Sequence, residues 1–447
     1  MRLTECSLLT GIVQLKNAIS GGASHDAIER FPPPRCHPET RTAVLEHIHQ
    51  WIQTSEPTSK ILWLHGPAGA GKSAIAQTIA EQTEEKELAA SFFFSRGKPG
   101  RDSSTLLWAT IAFQLAKSIP EIRDGIGGTV VRHPDIVQKS LEIQWKNLIV
   151  DPLSSVMGTD LPSDSPFLVI IDGLDECSGD RSQCNILEAI TRFVTFFRLP
   201  LRFLIASRPE PHIQSSFDND PLQQLSLRLS LDDSFLPVRD VFVYLRHEFD
   251  RIYNTHRHIM GSISRPWPSD NIVQLLAKRS SGQFVYASTV LRFIDDLDRR
   301  PTDQLRIVLN ASGSAAFTEL DQLYQQILST CNNKALLLQI LGCILVATYP
   351  LSACQIEGLL SLHEGDVYLT LRRMHSILRV PANPLQPILV LHASFGDFIF
   401  NAERAGDYHI HEGRCNAYMA RCCADYATRP AGDRFVFCFF HSKIERE

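Results

Sequence analysis

The run Gly-Pro-Ala-Gly-Ala-Gly-Lys-Ser at Gly66–Ser73 is built from residue types that together serve one kind of chemistry. Glycine at Gly66, Gly69 and Gly71 lets backbone N–H groups close around an anion with no Cβ in the way. Pro67, Ala68 and Ala70 keep the loop small, and Ala74 opens the helical sequence that follows. Lys72 has the charge and reach for β- and γ-phosphates, and Ser73 can offer a hydroxyl to Mg2+. The pattern G-x-x-x-x-G-K-[ST] binds phosphate when a strand precedes it and a helix follows. Ile61-Leu62-Trp63-Leu64 supplies the apolar run, and residues 74–81 supply the helical one. Gly66 to Ala74 is therefore expected to cradle the phosphates of ATP or ADP.

Two later runs repeat the arrangement of a buried strand ending in charge. Leu168-Val169-Ile170-Ile171 is followed by Asp172, with Asp175 and Glu176 three and four residues on. Catalytic groups of open α/β sheets collect at the carboxyl ends of the strands. Asp172 is thus expected to hold Mg2+ with Ser73, and either Asp175 or Glu176 to orient or deprotonate water. Phe203-Leu204-Ile205-Ala206 leads to Ser207-Arg208. Arg208 is expected to read a γ-phosphate through charge-assisted hydrogen bonds. The alternative is a strand-end arginine paired with an acid.

The elements that must position these groups can be read from periodicity. Continuous apolar runs bounded by turn residues fit strands buried on both faces. Ser91–Ser95 is a further candidate strand, and helical patterns cover 105–119 and 185–197. Strands alternating with helices predict a parallel sheet with right-handed crossovers. Beyond residue 235 helical patterns dominate: 238–253, 270–297, 317–346 and 353–362. A short β-like stretch follows at 388–392, after the Pro-rich 381–387. The N-terminus carries an amphipathic helix and then the stiff run 31–38, FPPPRCHP. A loop rich in Gly, Asp, Ser and Pro occupies 158–166.

Composition narrows the class of function. In 447 residues, 44% are apolar and 21% charged, as in soluble globular chains. A net charge of −5 without a long basic run argues against a nucleic-acid-wrapping role. The apolar stretch 335–351 contains Gln339 and ends at Pro350, so it reads as a buried helix, not a membrane span. The 11 cysteines have no C-x-x-C spacing and no framework, and read as reduced thiols in a cytoplasmic protein. The group His411, Cys415, Cys422 and Cys423 fits no zinc spacing.

The P-loop, the Asp-Gly-Leu-Asp-Glu strand end and the Ser-Arg-Pro strand end together resemble the NACHT type of STAND NTPase, in its nephrocystin-3-like N-terminal form abundant in fungi. Further segments are similar: CHPETR at 36–41, SFFFSR at 91–96, SSGQFVYASTVLRFI at 280–294, LDQLYQQIL at 320–328 and LHASFGDFIF at 391–400. The resemblance implies an α/β P-loop core with AAA+-like strand order, then an all-α helical domain and a winged-helix domain. It places Arg41 near the nucleotide and His392 against the β-phosphate of ADP. It departs at Gln283-Phe284, where many relatives carry a proline against adenine.

On this reading 1–40 is an N-terminal helix and linker, 41–225 the NTPase domain, 226–312 the helical domain, 313–405 the winged helix and 406–447 a helical end. The chain is read as either a minimal core or a truncated form, since nothing at either end resembles an effector or repeat domain. The implied function is a switch. ADP holds a closed monomer, ATP permits homo-oligomerisation, and slow Mg-dependent ATP hydrolysis resets it, in NLR-like non-self recognition or regulated cell death. An effector or sensor protein is the expected partner, with no nucleic acid. The alternative is a mechanical or nucleic-acid-processing ATPase on the same P-loop core.

Overall fold

The computed structural model describes residues 5–54, 59–156, 167–196, 201–231, 237–310 and 319–427. The loop at 158–166 and the segment 428–447 lie outside the described residues. Two compact units emerge, Met1–Tyr244 with Ser281–Phe284, and Leu245–Ser280 with Val285–Glu447.

The first unit is built on a parallel sheet. Its strands are β1 (Ile61–His65), β2 (Leu88–Phe93), β3 (Phe167–Asp172), β4 (Leu201–Ser207) and β5 (Ser226–Ser230), in the order β2-β3-β4-β1-β5. Strand side chains alternate between faces, and the apolar runs feed two cores. Trp63, Phe92, Val169, Ile171, Phe203 and Ile205 pack on one face. Leu62, Leu64, Phe93, Ile170, Leu204 and Ala206 pack on the other. Helices α1 (Glu5–Lys16), α2 (Thr42–Gln53), α3 (Lys72–Thr83), α4 (Leu107–Ser118) and α5 (Pro120–Arg132) belong to this unit. In α3, Ile75 and Ile79 are one turn apart and buried among alanines at 74, 76 and 80, which favour the helix without bulk.

Two expectations of extent change. The sheet continues past the boundary expected at 225, because β5 pairs in register with β1, Leu229 opposite Leu64. The segment 1–40 is no separate lead-in, since Leu15 is 1% exposed in the core of the first unit. Gly11 and Gly127 let α1 and α5 touch backbone to backbone. A Cβ on Gly11 would lie 2.1 Å from the Gly127 carbonyl oxygen. One on Gly127 would lie 2.5 Å from that of Leu8.

Beyond residue 245 the long helical patterns are interrupted. Residues 270–297 give Asp270–Arg279 and Phe284–Ile294, split where Ser281 and Gly282 take φ of 47° and 76°. Residues 317–346 give Glu319–Ser329 and Lys334–Val346, the latter starting where the Asn333 side chain accepts from Leu336 N–H. The β-like stretch forms a short antiparallel ladder, β6 (Leu378–Arg379) with β7 (Leu389–Val390). The helix expected at 185–197 begins earlier, at Asp180. Among the described residues no helix is long and apolar enough to cross a membrane.

The α1–α5 contact yields a prediction. Alanine in place of a helical glycine normally stabilises by about 0.5–1 kcal/mol. At Gly127 the new methyl meets backbone, which cannot swing aside, so overpacking of about 1–3 kcal/mol wins. Gly127→Ala should lower the urea midpoint of unfolding. A midpoint at or above wild type would mean that α1 does not dock there.

Candidate functional site

Parallel register brings the strand ends to one edge. His65 lies opposite Ser207, Ala206 opposite Asp172, and Asp172 opposite Phe93. The Gly-rich loop leaves β1 at Gly66, and Arg208 is the first residue after β4. The three motifs found in sequence therefore meet at the carboxyl edge of the sheet, as strand-end sites require.

The loop has the backbone its glycines were expected to supply. Gly69 and Gly71 have φ of 77° and 94°. Gly66 is tight, since a Cβ there would lie 3.1 Å from Leu231. Helix α3 starts at Lys72, so its first N–H groups face the loop. Lys72 Nζ folds back to the carbonyl oxygens of Gly66 and Pro67, at 2.8 and 2.9 Å. Burial pulls its ammonium below the ordinary lysine range, opposed by the charges of Asp175 and Asp172.

Asp172 is 3% exposed. Burial pushes its carboxyl above the ordinary range, while the Ser73 hydroxyl, Arg30 and Lys72 pull it down. Its Oδ1 has no hydrogen-bond partner among the described atoms. A carboxylate oxygen beside a serine hydroxyl is a hard-oxygen donor set of the kind Mg2+ takes, and both residues fit that ion. Glu176 is raised by burial as well, although its Oε2 accepts the Arg96 N–H at 3.1 Å.

Asp175 and Arg208 hold each other. Asp175 Oδ1 accepts the backbone N–H of Arg208 at 2.9 Å, and its Oδ2 lies 3.2 Å from Arg208 Nε. The sequence leads one to expect Asp175 or Glu176 to orient water and Arg208 to reach a phosphate. In this state they form a pair of which Asp175 is 4% and Arg208 17% exposed. Sequence could raise that pairing only as the alternative, because it joins two different loops.

Arg41, in a left-handed conformation before α2, reaches the loop through Nη2, which donates to the Ala70 carbonyl at 2.7 Å. Its backbone N–H donates to Asp240 Oδ2 at 3.0 Å. Its guanidinium lies 5.2 Å from the Phe284 ring, and Tyr244 packs on Phe284 at 5.7 Å. Aromatic groups thus gather beside Arg41 at Phe284, the position at which the resemblance departs.

His392 lies in the second unit. Ser394 N–H donates to its Nδ1 at 3.1 Å, the Ser394 hydroxyl is 2.7 Å away, and Tyr324 OH is 2.8 Å from that hydroxyl. A backbone N–H can only donate, so Nδ1 is an acceptor and the neutral ring carries its proton on Nε2.

The sequence reading missed two arginines. Arg30 stacks over Phe93, with Cζ 3.5 Å from the ring centre. Arg101, 4% exposed, donates through Nε to the Phe93 carbonyl at 3.1 Å. Neither belongs to a motif. Arg30 precedes the Pro-rich run and comes to the edge only through tertiary packing.

No curated protein matches the chain. Among solved structures, similarity extends to a Signal Transduction ATPase with Numerous Domains (STAND) protein with a tetratricopeptide repeat sensor, from Pyrococcus horikoshii. The TM-score is 0.46 at 12% identity, over 89% of this chain and 47% of that one. This chain thus spans about half of that protein's length. A second similar structure is Cdc6p from Pyrobaculum aerophilum, with TM-score 0.35 and 11% identity, over 88% of this chain and 97% of that one. Residues 39–208 match the family described as nephrocystin 3, N-terminal. That matched stretch runs from the residues before α2 to the arginine after β4 and so contains the Gly-rich loop, Asp172 and Arg208.

Proposed function

We propose that the chain is an ATP/ADP-operated signalling switch that hydrolyses ATP slowly and controls its own oligomerisation. The observation that carries this reading is the convergence at one sheet edge of the Gly-rich loop, Lys72 and Ser73 with a buried Asp172 whose Oδ1 lacks a partner among the described residues. In this reading the N–H groups from Gly66 to Ala74 and the Lys72 ammonium take the phosphates, with Lys72 exchanging its loop carbonyls for them. Ser73 and Asp172 hold Mg2+, which when bound neutralises phosphate charge. Glu176 is the group that orients and deprotonates water, because Asp175 is committed to Arg208 and acts by holding it. Arg208 serves the γ-phosphate once released from that pair. Arg41, with Phe284 and Tyr244 beside it, takes the nucleoside side.

The remaining parts of the reading concern the second unit and the state of assembly. The helices and β6–β7 ladder are read as helical and winged-helix domains, and His392 as the ADP sensor that keeps a closed monomer. Its Nε2–H is a donor suited to an anion. ATP favours an open form that self-associates, in an NLR-like pathway of the cytoplasm with an effector or sensor protein as partner. Ligand-specific contacts supply the differential affinity such a switch needs.

The first test is the purified protein itself. Denaturation should release ADP in near-equal amount, and Lys72→Ala should release none. Loss of one charged hydrogen bond of about 1.5–3 kcal/mol weakens binding about tenfold or more. A variant that retains nucleotide as wild type does would remove the loop from the site.

Glu176→Gln should bind ATP and fail to hydrolyse it, whereas Asp175→Asn should act through Arg208. In a double-mutant cycle, Asp175→Asn and Arg208→Ala should couple by about 0.5–3 kcal/mol in urea unfolding. Additive effects would make the pair incidental, and unchanged turnover in Glu176→Gln would return the water to another group.

His392→Leu should lose bound ADP and elute earlier from size exclusion without stimulus, since one lost charged contact shifts the closed–open balance by about 10- to 100-fold. A variant that stays monomeric and ADP-loaded would leave His392 a structural residue of its Tyr324–Ser394 cluster.

A further inference from the structure

Residues 20–31 carry no motif, yet a chain of polar contacts fastens them to the nucleotide edge of the first unit. Ser20 N–H donates to Thr110 Oγ1 on α4 at 3.0 Å. His25 N–H donates to Ser91 Oγ on β2 at 3.0 Å. The His25 carbonyl accepts from Gln77 Nε2 at 3.0 Å. Gln77 is 1% exposed and lies one helical turn beyond Ser73 in α3. The oxygen of the same amide accepts from Arg30 Nη2 at 2.6 Å. Gln77 therefore grips the segment twice, by its backbone and by its guanidinium.

That grip sets Arg30 on Phe93, the β2 residue paired with Asp172. Around this strand end Asp172 Oδ1, Arg30 Nε and Arg101 Nη1 are buried and lack hydrogen-bond partners among the described residues. Buried polar groups left unmade are expensive and rare, and at functional sites they mark a missing ligand. The mixture of signs is informative. A lone anion would leave the carboxylate unmet, and a lone cation would leave the two guanidinium groups unmet. A phosphate carrying a divalent cation meets both. The charges share one field: burial takes Arg30 down to about 10, with Asp172 pulling up and Arg101 pushing down. Arg208 stands on the β4 flank of Asp172, and Arg30 with Arg101 on the β2 flank.

Resting on the nucleotide-site reading above, we propose that residues 20–31 are a strap belonging to that site, with Arg30 and Arg101 its phosphate-attracting cations on the β2 side. Nucleotide binding and strap docking are then one linked equilibrium. Linkage is reciprocal, so whatever factor the docked strap adds to nucleotide affinity, nucleotide adds to strap docking.

The test uses the full chain, Mg·ADP and Mg·ATP as probes, and hydrogen–deuterium exchange of the 20–31 peptide. Nucleotide should slow exchange across 20–31 in the wild type. Arg30→Gln should weaken nucleotide binding by about tenfold, the loss of one charged contact, and abolish that protection. Arg30→Lys should restore most of both, because it keeps the charge. Gln77→Leu releases the grip while leaving every charge in place. It should weaken binding similarly, and the double variant no further. If Arg30→Gln fails to fold, the wild-type exchange and Gln77→Leu decide. Wild type that binds nucleotide with unchanged exchange at 20–31, or Gln77→Leu that binds as wild type does, would overturn the strap and leave the site intact. Wild type that binds neither nucleotide would overturn both.

Discussion

A carboxylate 3% exposed at the end of β3 is the constraint around which the first unit is arranged. Burying an ionised carboxylate without compensation is prohibitive. At Asp172 burial is offset in part from several elements at once: the Ser73 hydroxyl, the Arg30 guanidinium and the Lys72 ammonium. These belong to α3 and to the chain before α2, so none is local to β3. The parallel register makes the arrangement possible, since it sets the end of β3 between those of β2 and β4. Apolar burial holds the strands themselves, at about 1.5–3 kcal/mol for each large side chain fully covered. The sheet is thus stabilised by residues that do no chemistry, and its edge can carry charge that a less supported element could not.

The sequence made the centre of the sheet legible because strands buried on both faces leave unbroken apolar runs. Ile61–Leu64, Leu168–Ile171 and Phe203–Ala206 are of this kind, and Gly66, Asp172 and Arg208 follow them within two residues. β5 escaped notice for the opposite reason. Ser-Leu-Arg-Leu-Ser alternates, sits at the sheet edge and has one buried residue, so no run betrays it. The helix breaks at 280–283 and 330–333 escaped because each is a short polar gap between two apolar-periodic runs. Their cause is backbone conformation at Ser281 and Gly282 in one case and a capping Asn333 in the other.

The candidate site divides along the same line. Residues within a motif, such as Gly66 to Ser73, Asp172 and Arg208, were found by spacing. Groups delivered by tertiary contact were not. Arg30 arrives through Gln77, Arg101 through the Phe93 carbonyl, and Phe284 beside Arg41 from far along the chain. The Asp175–Arg208 pair is intermediate. Both residues were singled out, but their mutual engagement depends on β3 and β4 being neighbours, which strand sequence does not specify.

The state of the cations bears on how such a site can switch. Lys72 is bonded to two carbonyls of its own loop, Arg41 to a third, and Arg208 to an acid of the neighbouring loop. Each of these cations thus has an oxygen partner within the protein, which offsets part of the cost of burying it, although Arg41 Nε and Nη1 have none among the described atoms. Exchanging a neutral carbonyl for a phosphate oxygen gains a charge-assisted bond at little extra desolvation. Exchanging Asp175 for a phosphate at Arg208 gains much less, because one anion replaces another. In the proposed switch, then, the loop cations set how tightly any nucleotide is held, while Arg208 answers to the terminal phosphate with a small free-energy difference. A small difference suits a switch, since a pair that released Arg208 at great cost would never read ATP, and an unpaired Arg208 would not distinguish its absence.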